Sequence, residues 1–539
     1  MGASSSTMQQ QQHQEENEIE SLAASTGSLP MLRNAFSILS DDTKKAIPVR
    51  SLQDCFCLNV TNVASEASSS LPDCFMELLV HLGPAIVDLF FTSDEGGVHW
   101  VEFLRGYVRC CGRMSLSMSI NNLYRLYAAA SGKAVIPSKL DFESDDADSK
   151  ISGSLMPSDV LMLLWMCWIM SRSSRIRKLS DEKATLILPD INHLIFSAIT
   201  LCNENSNDLN FKDCNILTLE NHIFAQKFHH WVSTTVPGLA HCFSQYVHNR
   251  LQKGATSEEG LDDSNLSHDC TSSEECDKCL LTCGRAWAIH LSLRDTRDEL
   301  LSVCFPGKGI KTFENLLYRS SLHGKGLNRF WSNTEGYHGV LLILLSASSI
   351  GAHQGDDANV ERWVISVLTQ QGFESRDTYY GSSAYLYAIS PIFHVFPPSG
   401  KDKNFVYSHL HPTGRVYEAH PKTVGIAFGG TVGNERIFID EDFARVTVRH
   451  HAVDKTYQPG SLVPNQGFLP VEASIIEVEV WGLGGKSAKE QQDAYKKREQ
   501  IFTDQRRKID LKTLAWEDSP EKMMMDMVSD PNRVQREDR

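Results

Sequence analysis

Leu316-Leu317-Tyr318-Arg319-Ser320-Ser321-Leu322-His323-Gly324 opens a stretch that passes through Gly336-Tyr337-His338-Gly339 and the apolar run Val340 to Leu345, then closes on Val478-Glu479-Val480-Trp481-Gly482. This stretch decides the fold. Val340 to Leu345 is short, unbroken and flanked by Gly339 and Ser346, the pattern of a strand buried on both faces. Near the end, Ile476, Val478 and Val480 alternate with Glu477 and Glu479, which predicts a strand with one wet face. Gly429-Gly430 and Gly433-Asn434 punctuate the middle, where tight turns need positive φ. Two packed antiparallel sheets with a few covering helices are therefore expected. Neither Gly324-Lys325-Gly326 nor Gly307-Lys308-Gly309 has the upstream glycine spacing of a phosphate-cradling loop.

Upstream, residues 29–250 read as helical. Ile86, Leu89 and Phe90 precede, and Phe103, Leu104, Tyr107, Val108 and Cys111 follow, a loop from Phe91 to Glu102 with EF-hand spacing. Gly96 falls at the sharp-turn position, Val98 at the apolar position and Glu102 at the twelfth, with Ser93 and Glu95 as the remaining oxygen donors of a degenerate calcium loop. Phe91 stands where the leading carboxylate belongs, so helix–loop–helix packing is expected rather than calcium signalling. Ser40 to Ser51 is a more degenerate repeat of the same pattern, with Lys44 and Lys45 in place of acidic ligands. Val160 to Met170 is too short to span a bilayer and reads as a buried helix. Trp165, Trp168, Phe228, Trp231, Leu239 and Phe243 are core candidates, while the adjacent His229 and His230 project to different sides and read as a surface pair.

The expected organisation is α+β and multidomain. It comprises a disordered segment 1–28, an EF-hand-like domain 29–139, a linker 140–154, a helical domain 155–252, an acidic linker 253–279, a β-sandwich domain 280–484 and a C-terminal helix with tail 485–539. Residues 253–275 carry seven carboxylates and no Lys or Arg after Lys253, the composition of a solvated connector. Cys270, Cys276, Cys279 and Cys283, with His268 nearby, could close a tetrahedral zinc site, but the paired C-x-x-C hooks of a strong motif are missing. No cofactor is expected. The first thirty residues lack an apolar signal region, so the fourteen cysteines are expected as mostly free thiols in a reducing compartment. A net charge of −15 argues against broad nucleic-acid binding.

Two segments suggest attachment. Met1-Gly2-Ala3-Ser4-Ser5-Ser6 fits N-myristoylation at Gly2, with Ser6 at the hydroxyl position. One acyl chain holds a membrane only marginally, so a second contact is needed. Between Lys486 and Asp510 there is no Pro or Gly, and Ala488, Tyr495, Phe502 and Ile509 recur every seven residues. That narrow stripe fits a groove on a partner.

Between the ends of the β-rich stretch stand Trp363-Val364-Ile365, Tyr380-Gly381-Ser382-Ser383, Ala427-Phe428-Gly429-Gly430 and Phe438-Ile439-Asp440-Glu441-Asp442. In this order the segments resemble a TLDc domain. The whole chain is similar to the branch of that family which joins an N-terminal myristoylation site, an EF-hand-like helical half, a TLDc domain and a C-terminal helix, and which includes an animal mTOR-associated member and a fungal counterpart. The resemblance implies a non-catalytic adaptor that binds peripheral subunits of the vacuolar-type proton ATPase on the cytosolic face of lysosomal, vacuolar or other endomembranes, with links to oxidative-stress and mTOR-type growth signalling. In that branch the terminal helix docks on the pump. The alternative is a redox or hydrolytic enzyme using Cys304 or the Asp440-Glu441-Asp442 carboxylates; against it, no G-x-S-x-G, H-E-x-x-H or complete Walker motif occurs.

Overall fold

A computed structural model describes the chain from Ala3 to Met524 apart from residues 42–44, 59, 61–62, 67–70, 94–95, 138, 145–149, 174–185, 203–213, 255–278, 294–297, 305–313, 350–360, 411–421, 465 and 518–523; the side chains of 3–13, 254, 298, 304 and 509–517 are likewise left out.

Residues 1–28, expected to be disordered, instead hold helix α1 (Ala3–Ser25). Its sequence is polar, and a tertiary contact organises it: Ala23 is fully buried, and Glu20 accepts from the Trp100 indole N–H at 2.9 Å. Two helix–loop–helix units follow. The first joins α2 (Leu29–Leu39) to α3 (Val49–Phe56). After β1 (Val63–Ser65) and α4 (Phe75–Val80), the second joins α5 (Leu82–Phe90) to α6 (Trp100–Cys111). Ile47 and Val98, each eighth in its twelve-residue loop, exchange both backbone hydrogen bonds at 2.9 Å. This bridge makes the two loops a pair.

The rest of this half comprises α7 (Leu116–Lys133), β2 (Lys139–Phe142), β3 (Ile151–Leu155), α8 (Pro157–Ser173), β4 (Leu186–Leu188), α9 (Asn192–Cys202), β5 (Ile223–Phe224), α10 (Ala225–Thr235) and α11 (His241–Gly254). The stretch expected as a linker at 140–154 is largely the β2–β3 hairpin, which β5 extends to three strands. Residues 29–139 and 155–252 are not separate bodies either, because one hydrophobic core runs through both. Phe90 of α5 packs on Phe243 of α11 with ring centroids 5.1 Å apart. Tyr107 of α6 bonds His248 at 2.9 Å, and Tyr246 donates to the Phe56 carbonyl at 2.7 Å. The paired lobe thus closes its apolar face on α11. α8 is buried from Val160 to Met170, as its uninterrupted apolar run predicts. Among the described residues no helix is long and apolar enough to cross a membrane.

α12 (Cys283–Ser292) and α13 (Asp298–Cys304) lead into β6 (Leu316–Arg319), α14 (Ser320–His323) and α15 (Leu327–Thr334). There follow β7 (Leu341–Ser349), β8 (Glu361–Thr369), β9 (Arg376–Tyr380), β10 (Ala384–Ser390), β11 (His394–Phe396), β12 (Val406–His409), β13 (Gly425–Thr431), β14 (Asn434–Ile439), β15 (Arg445–Val448), β16 (Val471–Gly482) and α16 (Gly485–Glu517). The strands from β6 onward form one antiparallel sheet in the order β11-β10-β8-β7-β16-β15-β14-β13-β12-β9, with β6 also on β16. β16 carries the junction. One of its edges pairs with β7 from Ala473 to Gly482, while the other is shared between β15, at Val471 to Ser474, and β6, at Glu479 to Trp481. The two arms curl toward each other and enclose a second core that contains Ile343, Val367, Ile437 and Val480.

β7 is buried on both faces because it separates two cores. Leu342 and Leu344 face the helical half, whereas Leu341, Ile343 and Leu345 face the interior of the curled sheet. Successive strand residues point to opposite faces, so an all-apolar strand is what such a position demands. In β16 the expected wet face is not where Glu477 and Glu479 lie. A bulge between Ile475 and Glu477 shifts the register and leaves Ile476 41 % exposed, while Glu479 is fully buried because the segment entering α12 covers its face.

Candidate functional site

Where α16 leaves the sheet, Gly484 donates its N–H to the Tyr337 hydroxyl at 2.7 Å, and Gly485 turns the chain with φ +70°. The helix then lies over the C-terminal end of α15 and the loop that follows it. Ala488 is 7 % exposed and packs beside Gly339, where an added Cβ would sit 2.9 Å from the Ala488 methyl. Gln492, fully buried, donates from Nε2 to the carbonyls of Asn333 (2.9 Å) and Glu335 (3.3 Å), satisfying acceptors that the end of α15 leaves without helical partners. Tyr495 lies over Gly336 and donates to Glu335 Oε1 at 2.8 Å; burial, and then that carboxylate, push its phenol up to about 12. Lys496 Nζ reaches the Asn333 carbonyl at 3.2 Å.

The stripe on α16 therefore divides. Ala488 and Tyr495, expected to enter a partner groove, are used by the protein's own domain, and the buried face continues through Gln492 rather than along a strict seven-residue line. A polar residue gave no apolar signal to find it by. Beyond Lys496 every described side chain through Lys508 is exposed, including Ile501 (49 %) and Phe502 (58 %). The Ile509 side chain lies outside the described residues, as does Gly2.

The degenerate calcium loop is packed as a structural turn. Gly97, not Gly96, takes positive φ (+116°), and it sits against the Ile47 carbonyl. Glu102 pairs with Arg105 at 4.0 Å, Ser93 is exposed and Glu95 lies outside the described residues. Of the cysteine cluster, Cys270 and Cys276 lie outside them too. Cys279 is buried and accepts from Arg319 Nη1 at 3.6 Å, while Cys283 donates to the Val303 carbonyl at 3.7 Å. No group of three or more metal-ligating side chains occurs among the described residues.

The remaining candidates are structural or isolated. Asp440 caps its own turn, accepting from the backbone N–H groups of Ala444 (2.8 Å) and Arg445 (3.1 Å), with Glu441 and Asp442 exposed beside it. The Cys304 side chain lies outside the described residues. Lys325 donates to the Ile475 carbonyl at 2.9 Å, and Gly307-Lys308-Gly309 falls outside the described residues. His230 is exposed, whereas His229 helps Asn121, Lys150 and Gln226 line a cleft of about 310 Å³.

A buried charge cluster joins the two halves, and no sequence pattern pointed to it. Glu479 accepts from the backbone N–H groups of Leu280 (2.8 Å) and Leu281 (3.2 Å) and from the Trp481 indole (3.0 Å), with Arg319 3.6 Å away. Burial raises its carboxyl above the ordinary range. Glu477 is also buried, but bonds from Ser320 and Ser321 and the nearby Arg319 outweigh that burial and hold it lower. One strand end thus ties the sheet to the segment entering α12.

Comparison with known families matches residues 293–484 to the TLDc domain, so the match begins just after α12. No curated protein matches the chain.

Proposed function

We propose that this chain, carrying a TLDc domain at residues 293–484, is a non-catalytic adaptor that binds peripheral subunits of the vacuolar-type proton ATPase from the cytosolic side of lysosomal or vacuolar membranes. Myristoylation of Gly2 would supply reversible membrane association, and growth or oxidative-stress signalling would be the context in which it acts. The observation that carries the reading is the divided α16. Its first turns are pinned to the TLDc domain by Ala488, Gln492 and Tyr495, while Lys497 to Lys508 stands off with Ile501 and Phe502 exposed. An anchored helix with a solvent-facing apolar pair is preorganised for a groove on another protein.

The test is affinity purification of the full chain from cells, scored by mass spectrometry for pump subunits, beside a chain lacking residues 497–539. Pump subunits recovered with the full chain and lost on truncation support the proposal. Absence of pump subunits from the full-chain sample overturns it.

A further inference from the structure

The loop joining β15 to β16 holds its apolar side chains in solvent. Val453, Phe468 and Leu469 are 84 %, 74 % and 80 % exposed, and Ala452, Gly467 and Pro470 beside them are exposed as well. Phe468 and Leu469 are consecutive, and exposed apolar side chains grouped on one loop mark a contact site. Phe468 does not fold back toward the core; its ring stacks on His450 with centroids 4.9 Å apart and planes at 12°.

Beneath this tip the loop is braced. The fully buried Arg436 bonds Asp454 Oδ2 (2.7 Å) and the carbonyls of Gln458 (2.7 Å) and Gly460 (2.9 Å), with its guanidinium 4.9 Å from the centre of the Phe396 ring. Asp454 also accepts from the N–H groups of Thr456 (2.8 Å) and Tyr457 (3.0 Å). A tip on so rigid a base loses little conformational freedom when it is covered.

Charge and size select what covers it. Asp454 is the one carboxylate in residues 449–470, and Arg436 holds it in the interior. Lys455 is exposed. The adjoining loop, tied on by Ser399 N–H to the Thr456 carbonyl at 2.8 Å, adds exposed Lys401 and Lys403. Asp402 between them turns its carboxylate to the Lys403 N–H (2.7 Å) and the Asn404 amide (3.3 Å). In a chain of net charge −15, this surface offers three exposed lysines around an apolar tip, against one exposed carboxylate, Glu472, in β16. Three large side chains, rimmed by lysines, make up this apolar patch. They suit partial insertion into a lipid surface, where nearby lysines meet anionic headgroups.

We propose that the Val453, Phe468 and Leu469 tip is a membrane-docking site for anionic lipid, with Phe468 and Leu469 entering the boundary between headgroups and acyl chains and Lys401, Lys403 and Lys455 facing lipid phosphates. The contact requires neither the acyl chain nor the pump.

The test uses the full chain carrying Gly2→Ala, which removes any acyl group, sedimented with vesicles of phosphatidylcholine plus phosphatidylserine and with phosphatidylcholine alone. The chain should sediment with the anionic vesicles and release as salt is raised. Phe468→Ser with Leu469→Ser should weaken this about tenfold, with a comparable loss for Lys401→Glu with Lys455→Glu. Thermal unfolding of both variants should match the parent, since the changed side chains are exposed. Failure of the parent to sediment with anionic vesicles, or equal sedimentation of parent and Phe468/Leu469 variant, overturns the proposal. Self-association of the parent in sedimentation velocity, lost in that variant without any vesicle binding, assigns the patch to a second copy instead.

Discussion

Gln492 donates its buried side-chain amide to the Asn333 carbonyl at 2.9 Å, and this bond fixes how α16 leaves the TLDc domain. Replacing Gln492 by Leu would keep the volume but strand the Glu335 carbonyl and leave the Asn333 carbonyl to Lys496 alone, a cost of about 1–3 kcal/mol. Amide exchange across residues 486–496 should accelerate while the sheet's exchange stays unchanged. Unaltered exchange in that segment would show that the bond contributes nothing to docking.

The exposed continuation of that helix carries the partner prediction. Changing Ile501 and Phe502 to Ser should weaken pump association about thirtyfold, the equivalent of about 2 kcal/mol for a buried aromatic anchor. The melting temperature should not move, since both side chains are already in solvent. Pump binding as strong as wild type would place the contact elsewhere on the TLDc surface.

Calcium should leave the EF-hand-like lobe untouched. Phe91 supplies no oxygen at the leading position, and Glu102 faces Arg105. Isothermal titration of the full chain should give no heat at micromolar calcium; saturable heat that Glu102→Gln removes would contradict this. The full chain is required because the lobe packs on α11, and residues 29–139 alone would expose that apolar face.

His193 predicts an acid limit to stability. Its backbone carbonyl accepts the Phe393 N–H at 3.1 Å across the junction between the halves, and burial lowers its imidazole from 6.5 to about 3, with Arg285 reinforcing the shift. A folded-state pKa below the unfolded value means that the unfolded chain takes up the proton first. The contribution of neutral His193 is therefore complete above about pH 6.5 and is lost as pH falls toward 3. Between pH 7 and pH 5 this amounts to about 2 kcal/mol. Urea unfolding at both pH values should show a smaller acid loss for His193→Gln than for wild type. Equal losses would remove His193 from the account.

Gly2 should be acylated. Intact-mass analysis of chain made in a eukaryotic host should show a myristoyl adduct that Gly2→Ala abolishes. A free or acetylated terminus would end that part of the functional proposal.

The features legible from residues alone are local in origin. An unbroken apolar run predicted that β7 would be buried on both faces, the burial of α8 followed from Val160 to Met170, and the spacing around Phe91 to Glu102 gave a helix–loop–helix that Ile47 and Val98 pair with its neighbour. The order of short segments between Leu316 and Gly484 was enough for the TLDc domain. Each of these signals is written in consecutive residues or a fixed period.

The rest came from contacts between distant segments. The division of 29–252 into two domains dissolved because α11 is shared by both groups of helices, a long-range contact with no periodicity to announce it. Helix α1 depends on a pocket that receives Ala23 and on the Trp100 indole, so a polar sequence gave no hint of it. Glu477 and Glu479 read as a wet face, yet the bulge in β16 keeps both off the interior of the curled sheet and on the face that the helical half covers, where Arg319, Ser320 and the backbone of Leu280 and Leu281 replace water. On α16, Ala488 and Tyr495 went to their own domain and Phe502 to solvent, since the support beneath the helix is the end of α15 and the loop after it, which the helix has passed by Lys497. A sequence states which side chains need burial; which ones obtain it depends on surfaces that exist only once distant segments have met.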